Sequence, residues 1–385
     1  MVKNAERIEA SLMLASYFET LGFKNGHWEF NYTLEIDSLK KFSSVWHTLL
    51  HNFLVLGGPS HINIKDWNSS DDTIMILATI DGIAKGGGES NYRKAYLDYY
   101  DLIIDGKRMS GNNTIDTLKL LKRGATLDTL PVQTNMGGNG AAMRTGSIGL
   151  VWYKNIEKVI EESIIASRLT HNYYLGFLGG MVTAVFTAFA MQDIPAWRWA
   201  DELIKLYTDK IIHKYYPKSK DHNLEDLDEY MGYWKRYRET RISKLKYKNN
   251  LENFIYPENR IEYLMGFFPN PKIKAMVIKG QSLKELNWHM DHIGSTCLDG
   301  CIFAYDCLLI SMYTPDSKTI DLDNVDYSFE TFMTEVCIHP GDNDTTGCIG
   351  GTWIGAMKGF GPFDKNRIKQ LEFYEELKKG SNKII

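Results

Sequence analysis

The chain has 385 residues, 44% hydrophobic and 24% charged, an ordinary globular balance long enough to bury a large core. A net charge of −4 and a pI near 6.2 argue against general nucleic-acid binding, yet leave room for an anionic small ligand held by a few local donors. The five cysteines, Cys297, Cys301, Cys307, Cys337 and Cys348, fit no zinc spacing and read as reduced thiols of a cytoplasmic protein.

The N-terminal "MVKNAERIEA" has no apolar signal core. "AERIEASLMLASYFETLG" follows with apolar spacing near 3.6, and Gly22 is placed to be its C′ glycine. "IDSLKKFSSVWHTLLHNFLVLGG" repeats the pattern. "WNSSDDTIMILAT" (67–79) predicts another helix: Ser69 or Ser70 can cap it, and Asp71 and Asp72 fall in its first turn, where the helix dipole favours negative charge. Capping and ligand holding are both open for these residues. "NMGGNGAAMRTGSIGL" (135–150) puts glycines before a helix expected from Ala141, an arrangement that offers free N–H groups to an anion or serves as a plain helix entry.

"NIEKVIEESIIASRL" reads as a further helix. The run Leu175–Met191 approaches membrane-spanning length but carries Gly and Thr, and reads as a buried core helix. "IPAWRWADELIKLYTDKIIHKYY" is helical too. From about 204 to 262 the chain turns rich in Lys, Glu, Tyr and Asp, either a solvated helical excursion or a shaper of a ligand-site mouth. A second acidic cluster, "HPGDNDTTGCIGGT" (339–352), sets Asp342, Asp344 and Thr345 before a small-residue helix suited to close packing. No long alternation of period two and no repeat occurs, so the fold class is all-α. Two Asp-rich helix starts, brought together, would repel unless protonated or bridged by a cation; their all-oxygen donors suit Mg²⁺ or Mn²⁺ rather than zinc.

Taken together, "SDDTIM", "GGNGAAMR", "SRLTH" and "GDNDTTG" resemble the marks of the ADP-ribosylglycohydrolase family, in order and at fitting distances. "LGFKNGHWEF" and "IGSTCLDGCIFAYDCLL" resemble its ADP-ribosylarginine hydrolase branch most closely. The resemblance runs from about residue 7 to 375. It implies one compact multi-helix domain over 1–385, with the charged aromatic excursion inserted, and a two-magnesium centre at the base of a cleft. Metal ligation would fall to Ser70, Asp71 and Asp72 from the first cluster and to Asp342, Asp344 and Thr345 from the second. Glu29 would stand near the scissile bond. Gly138, Asn139 and Gly140 would cradle the diphosphate or its ribose, His171 would contact the ligand, and Gly294, Ser295, Thr296 and Asp299 would line the distal ribose. Gly106 and Arg108, in "DGKRMSGNNT", loosely match a ribose-contact loop.

The resemblance further implies hydrolysis of the N-glycosidic bond between ADP-ribose and a protein arginine, with Asp71 or Asp72 acting on water and Glu29 on the departing guanidine. The alternatives are another ADP-ribosyl linkage, such as serine-linked or O-acetyl-ADP-ribose, or a non-catalytic ADP-ribose binder. The implied partners are ADP-ribosylated proteins and ADP-ribose, with no nucleic acid and no membrane, for a cytoplasmic monomer. Two departures stand out. Glu19 occupies the position where the family usually carries the aspartate of Gly-Asp-x-x-Gly, and "NWHMDHIGST" lacks the glycines of the arginine branch.

Overall fold

The computed structural model describes residues 3–31, 42–132, 137–243, 264, 293–312 and 327–385. Its principal helices are α1 (Asn4–Phe23), α2 (Phe42–Val55), α3 (Asp71–Ala84), α4 (Gly88–Asp98), α5 (Asn112–Lys122), α6 (Gly146–Trp152) and α7 (Ile156–Arg168). They continue with α8 (Tyr174–Met191), α9 (Trp199–Thr208), α10 (Leu224–Tyr237), α11 (Cys297–Ile310), α12 (Phe329–Cys337), α13 (Asn343–Lys358) and α14 (Tyr374–Ile384). Among the described residues there is no strand, only an isolated antiparallel bridge between Gly138 and Thr296. The all-α expectation holds.

Most of α1 is buried on every side, as a helix without a polar face must be. It packs along α13, the small-residue helix. A Cβ at Gly351 would lie 2.3 Å from the Leu14 carbonyl oxygen, so the two backbones meet where only glycine fits. Gly22 does not end α1. The helix runs on to Phe23 and stops at Lys24, left-handed at φ 41°, whose N–H returns to the Thr20 carbonyl. Gly22 is instead small because α13 begins against it: a Cβ there would stand 2.3 Å from the Asn343 carbonyl oxygen.

α8 is buried throughout and contacts α6, α7, α11 and α13. It is the one helix among the described residues long and apolar enough to cross a membrane, and it forms the centre of the core instead. The charged segment after 204 is helical to Tyr215, irregular over 216–223 and helical again from Leu224 through residue 243, and its aromatics anchor it. Tyr230, Trp234 and Tyr237 are buried. Beyond them, Arg241 Nε and the Tyr237 hydroxyl each donate to Asp306 Oδ1 of α11 at 2.7 Å. Residues 244–262 of that segment, like 287–292 of "NWHMDHIGST", lie outside the described residues. What the packing achieves for the site is the meeting of three places: the start of α3, the start of α13 and the loop 137–140.

Candidate active site

The first acidic turn is tied down from several sides. Ser70, extended at ψ −171°, is the N-cap of α3, and its hydroxyl accepts the Asp72 N–H at 3.2 Å. Asp71 N–H donates to the Arg108 carbonyl at 3.2 Å. The Arg108 guanidinium reaches the Ser69 carbonyl at 2.6 Å and grips Glu372 with two bonds of 2.6 and 2.7 Å, while Ser69 N–H meets Glu372 at 2.9 Å. Behind the turn sits Glu19, fully buried in α1. It accepts the Ser70 N–H at 3.0 Å and the Thr73 hydroxyl.

The second turn approaches from the opposite side. Asp342 N–H donates to Ile293 at 2.8 Å, and Thr346 is fixed by His339 at 2.7 Å. Glu29, in a short 3-10 turn, is brought alongside because the next residue's N–H bonds to the Gly341 carbonyl at 3.0 Å. One carboxylate oxygen each from Glu29, Asp342 and Asp344 lies within 4.8 Å of the others. Thr345 Oγ1 of the second turn stands 3.5 Å from Asp72 Oδ1 of the first. The two clusters therefore meet.

Their electrostatics are unfavourable without help. Burial, then the charge of Asp344, pushes Asp71 up to about 7. Burial and the charges of Asp344 and Asp71 raise Asp72 well above the carboxylate range, and burial with Asp344 and Asp342 does the same to Glu29. Asp342 and Asp344 are raised too, first by burial. Glu29 Oε2, Asp72 Oδ2 and Asp344 Oδ1 are buried with no hydrogen-bond partner. Orphaned, desolvated anionic oxygens are costly unless a proton or a cation meets them. With hydroxyls from Ser70 and Thr345 beside them, the donor set is hard and all-oxygen, and fits divalent cations of the Mg²⁺ type.

The glycine loop closes over the second turn. Asn139 Nδ2 donates to Asp342 Oδ2 and to the Gly294 carbonyl, both at 2.8 Å. A 3-10 turn, Asn139–Ala141, follows, and the α-helix expected from Ala141 starts only at Gly146. The intervening Arg144 accounts for the delay. Fully buried, it turns back to donate to the Gly140 carbonyl, to Thr170 at 2.7 Å and to Ala166 at 3.0 Å. Thr170 in turn bonds His171 Nδ1 at 2.8 Å, and the imidazole packs against the loop: a Cβ at Gly140 would stand 2.7 Å from His171 Cε1. Burial, and then Arg144, lowers His171 to about 3, so the ring is neutral.

Several expected ligand contacts are engaged within the protein. Asp299 closes a capping box with Thr296 and accepts the Gly294 N–H at 3.2 Å. Burial lifts it to about 6 against those bonds. It shapes the turn holding Gly294, Ser295 and Thr296. The Nη donors of Arg108 are likewise spent on Glu372 and Ser69, so Arg108 supports the first acidic turn, and Gly106 sits in an exposed turn at φ 76°. Two residues went unassigned, Glu19 and Arg144. The signal for each was present, an acidic residue at a departure from the family pattern and an arginine inside "GGNGAAMR". A cavity of about 620 Å³ between α12, α13 and the Pro362–Arg367 stretch lies toward the far end of α13 and includes none of these residues.

The all-helical fold is similar to that of a solved "ADP-ribosylglycohydrolase-related protein complex". The TM-score is 0.55 over 98% of both chains, at 14% identity. The chain belongs to the ADP-ribosylglycohydrolase family, whose model matches residues 26–385. It is 29% identical over 414 residues to ADP-ribosylhydrolase ARH1 of Dictyostelium discoideum, covering 99% of this chain and 94% of that one. It is 30% identical over 394 residues to L444 of Acanthamoeba polyphaga mimivirus, provisionally named an ADP-ribosyl glycohydrolase, covering 95% of this chain and 67% of that one. Membership indicates a glycohydrolase with ADP-ribosylated substrates and ADP-ribose as product.

Proposed function

We propose that this protein is a magnesium-dependent hydrolase of ADP-ribosylated arginine, acting as a cytoplasmic monomer to release ADP-ribose from proteins. The observation that supports its metal dependence is the convergence of Glu29, Asp342 and Asp344, with Thr345 reaching Asp72 beside them and buried oxygens of Glu29, Asp72 and Asp344 left without a partner. Ser70, Asp71, Asp72, Asp342, Asp344 and Thr345 would hold two divalent ions, and Glu29 is near enough to Asp342 and Asp344 to join them. Such ions supply Lewis-acid chemistry, polarising oxygens held against them.

The chain's own residues do the rest. Cleavage breaks the bond between the anomeric carbon and the guanidine nitrogen, water supplies the hydroxyl to carbon, and its proton ends on the departing guanidine. Asp71 or Asp72 orients that water and takes its proton. Glu29 delivers a proton to the leaving guanidine. The loop's backbone N–H groups meet the diphosphate. His171, neutral with Nδ1 held by Thr170, contributes a hydrogen bond without charge. The deciding experiment is a panel of arginine-linked, serine-linked and O-acetyl-ADP-ribose substrates, with Mg²⁺, with Mn²⁺ and with EDTA. Arginine-linked turnover that EDTA abolishes is expected. Turnover of the serine linkage alone defeats the arginine assignment, and ADP-ribose binding without turnover of any substrate defeats the enzymatic one.

A further inference from the structure

We infer that Glu19 is the positioning residue of the Ser70–Asp71–Asp72 turn, acting through the reach of its side chain rather than its charge. The inference rests on the reading above that this turn holds a divalent cation. In a capping box the N–H of the N-cap residue is met by a Glu or Gln three positions on. In α3 the N-cap is Ser70 and the residue three positions on is Thr73, which does not perform that task. Glu19 performs it from another helix. Its Oε2 takes the Ser70 N–H at 3.0 Å, and Oε1 accepts the Thr73 hydroxyl. Thr73 also stands 2.7 Å from Ser16 Oγ, and Thr20 Oγ1 is 3.1 Å from Ser69 Oγ. Ser16, Glu19 and Thr20 share one face of α1 by their i, i+3, i+4 spacing.

The consequence is geometric. α1 abuts the start of α13 at Gly22 and the start of α3 at Glu19, so one rigid helix end gauges the separation of the two acidic turns. Both carboxylate oxygens of Glu19 are engaged and the residue is fully buried, so it cannot shift without moving the turn. In this chain buried Phe18, packed on Phe329 and Phe332, stands where the family has the glycine before its aspartate, and from the backbone position it holds, an aspartate, shorter by one carbon–carbon bond of about 1.5 Å, falls short of the Ser70 N–H. A glutamine reaches it: its carbonyl accepts that N–H, and its NH₂ donates to the Thr73 oxygen.

The test is Mg²⁺ titration by calorimetry on the full, metal-stripped chain, comparing wild type with Glu19→Gln and Glu19→Asp. Circular dichroism melts without metal establish which variants fold. Groups that orient metal ligands typically alter affinity about 10- to 100-fold. Glu19→Asp is expected to fall in that range, with hydrolysis recovering as Mg²⁺ is raised, and Glu19→Gln to stay within about threefold of wild type. Equal affinity of Glu19→Asp and wild type overturns the proposal, as does a Glu19→Gln variant that binds more weakly than Glu19→Asp, because charge would then be what matters. If Glu19→Asp does not fold, Glu19→Gln still decides: a tenfold loss there overturns the argument from reach. A wild-type chain that takes up no Mg²⁺ refutes the metal reading itself, a separate failure.

Discussion

The two acidic turns carry similar residues and are built in opposite ways. At the start of α3 most polar groups are met: Ser70 caps, Glu19 takes the Ser70 N–H, Arg108 offers its carbonyl to Asp71 and its guanidinium to Ser69 and Glu372. At the start of α13 the N-cap Asp342 makes no side-chain cap bond, and Asp344 leaves one oxygen buried and unpartnered. The first turn is a braced platform from which Asp72 projects one free oxygen. The second is a set of carboxylates held close by the backbone. Bracing on one side and uncompensated charge on the other is what a cation-binding centre needs, because the cation is drawn to the charge and its geometry is kept by the brace.

The largest expected effect is on the charged side. Asp344→Asn should abolish hydrolysis by roughly a thousandfold or more, about 4 kcal/mol of transition-state stabilisation. It should also raise the melting temperature of the metal-stripped protein, since one of the mutually repelling carboxylates is gone. Assay and melt together check this, and near-normal turnover would break the contrast drawn above. pH comes next. Glu19 is lifted by burial from 4.5 to about 8, and Asp71 from 3.8 to about 7. Between those limits the folded chain binds more protons than the unfolded one, so this stability is full at low pH and is lost as pH rises through 7 to 8. For Glu19 alone it amounts to several kcal/mol, at about 1.4 kcal/mol per pKa unit. Melts from pH 5 to 8 in EDTA should therefore fall, and Mg²⁺ should restore most at the alkaline end. A flat profile in EDTA would mean the carboxylates are not desolvated as described.

Helix existence was legible because its signals are local. Ser70 as a cap, the apolar spacing of α1 and the small residues of α13 needed only neighbours in sequence. The acidic residues were legible as types but not as a site, since Thr345 reaches Asp72 across 273 residues and Asn139 reaches Asp342 across 203. Local rules also misled where a tertiary contact prevailed. Gly22 looked like a helix stop, but its lack of a side chain serves the approach of Asn343. Ala141 looked like a helix start, but Arg144 returns to Gly140 and holds the chain in turns. The sequence placed Asn139, Asp299 and Arg108 among polar loop residues, but could not show that the fold itself engages them, Asn139 with Asp342, Asp299 with Thr296 and Arg108 with Glu372.

On the braced side the expected losses are in stability before activity. Arg108→Ala removes a bidentate ion pair in which Arg108 is nearly buried and Glu372 about one-third exposed, together with the bond to Ser69. Discounted for that exposure, a loss of about 2 kcal/mol in urea unfolding is expected, with a smaller loss of turnover that added Mg²⁺ recovers. Ser70→Ala is the finest test, because the serine is both a cap and a candidate ligand. As a cap alone its removal costs about 1 kcal/mol and leaves cation affinity unchanged. As a ligand as well, it weakens Mg²⁺ binding in calorimetry by more than the change in folding stability explains. The hydroxyl oxygen that accepts the Asp72 N–H keeps a second lone pair, so the two roles are compatible on one atom. A Ser70→Ala protein that loses stability yet binds Mg²⁺ as wild type does would confine the first turn to Asp71 and Asp72, and make the serine part of the brace.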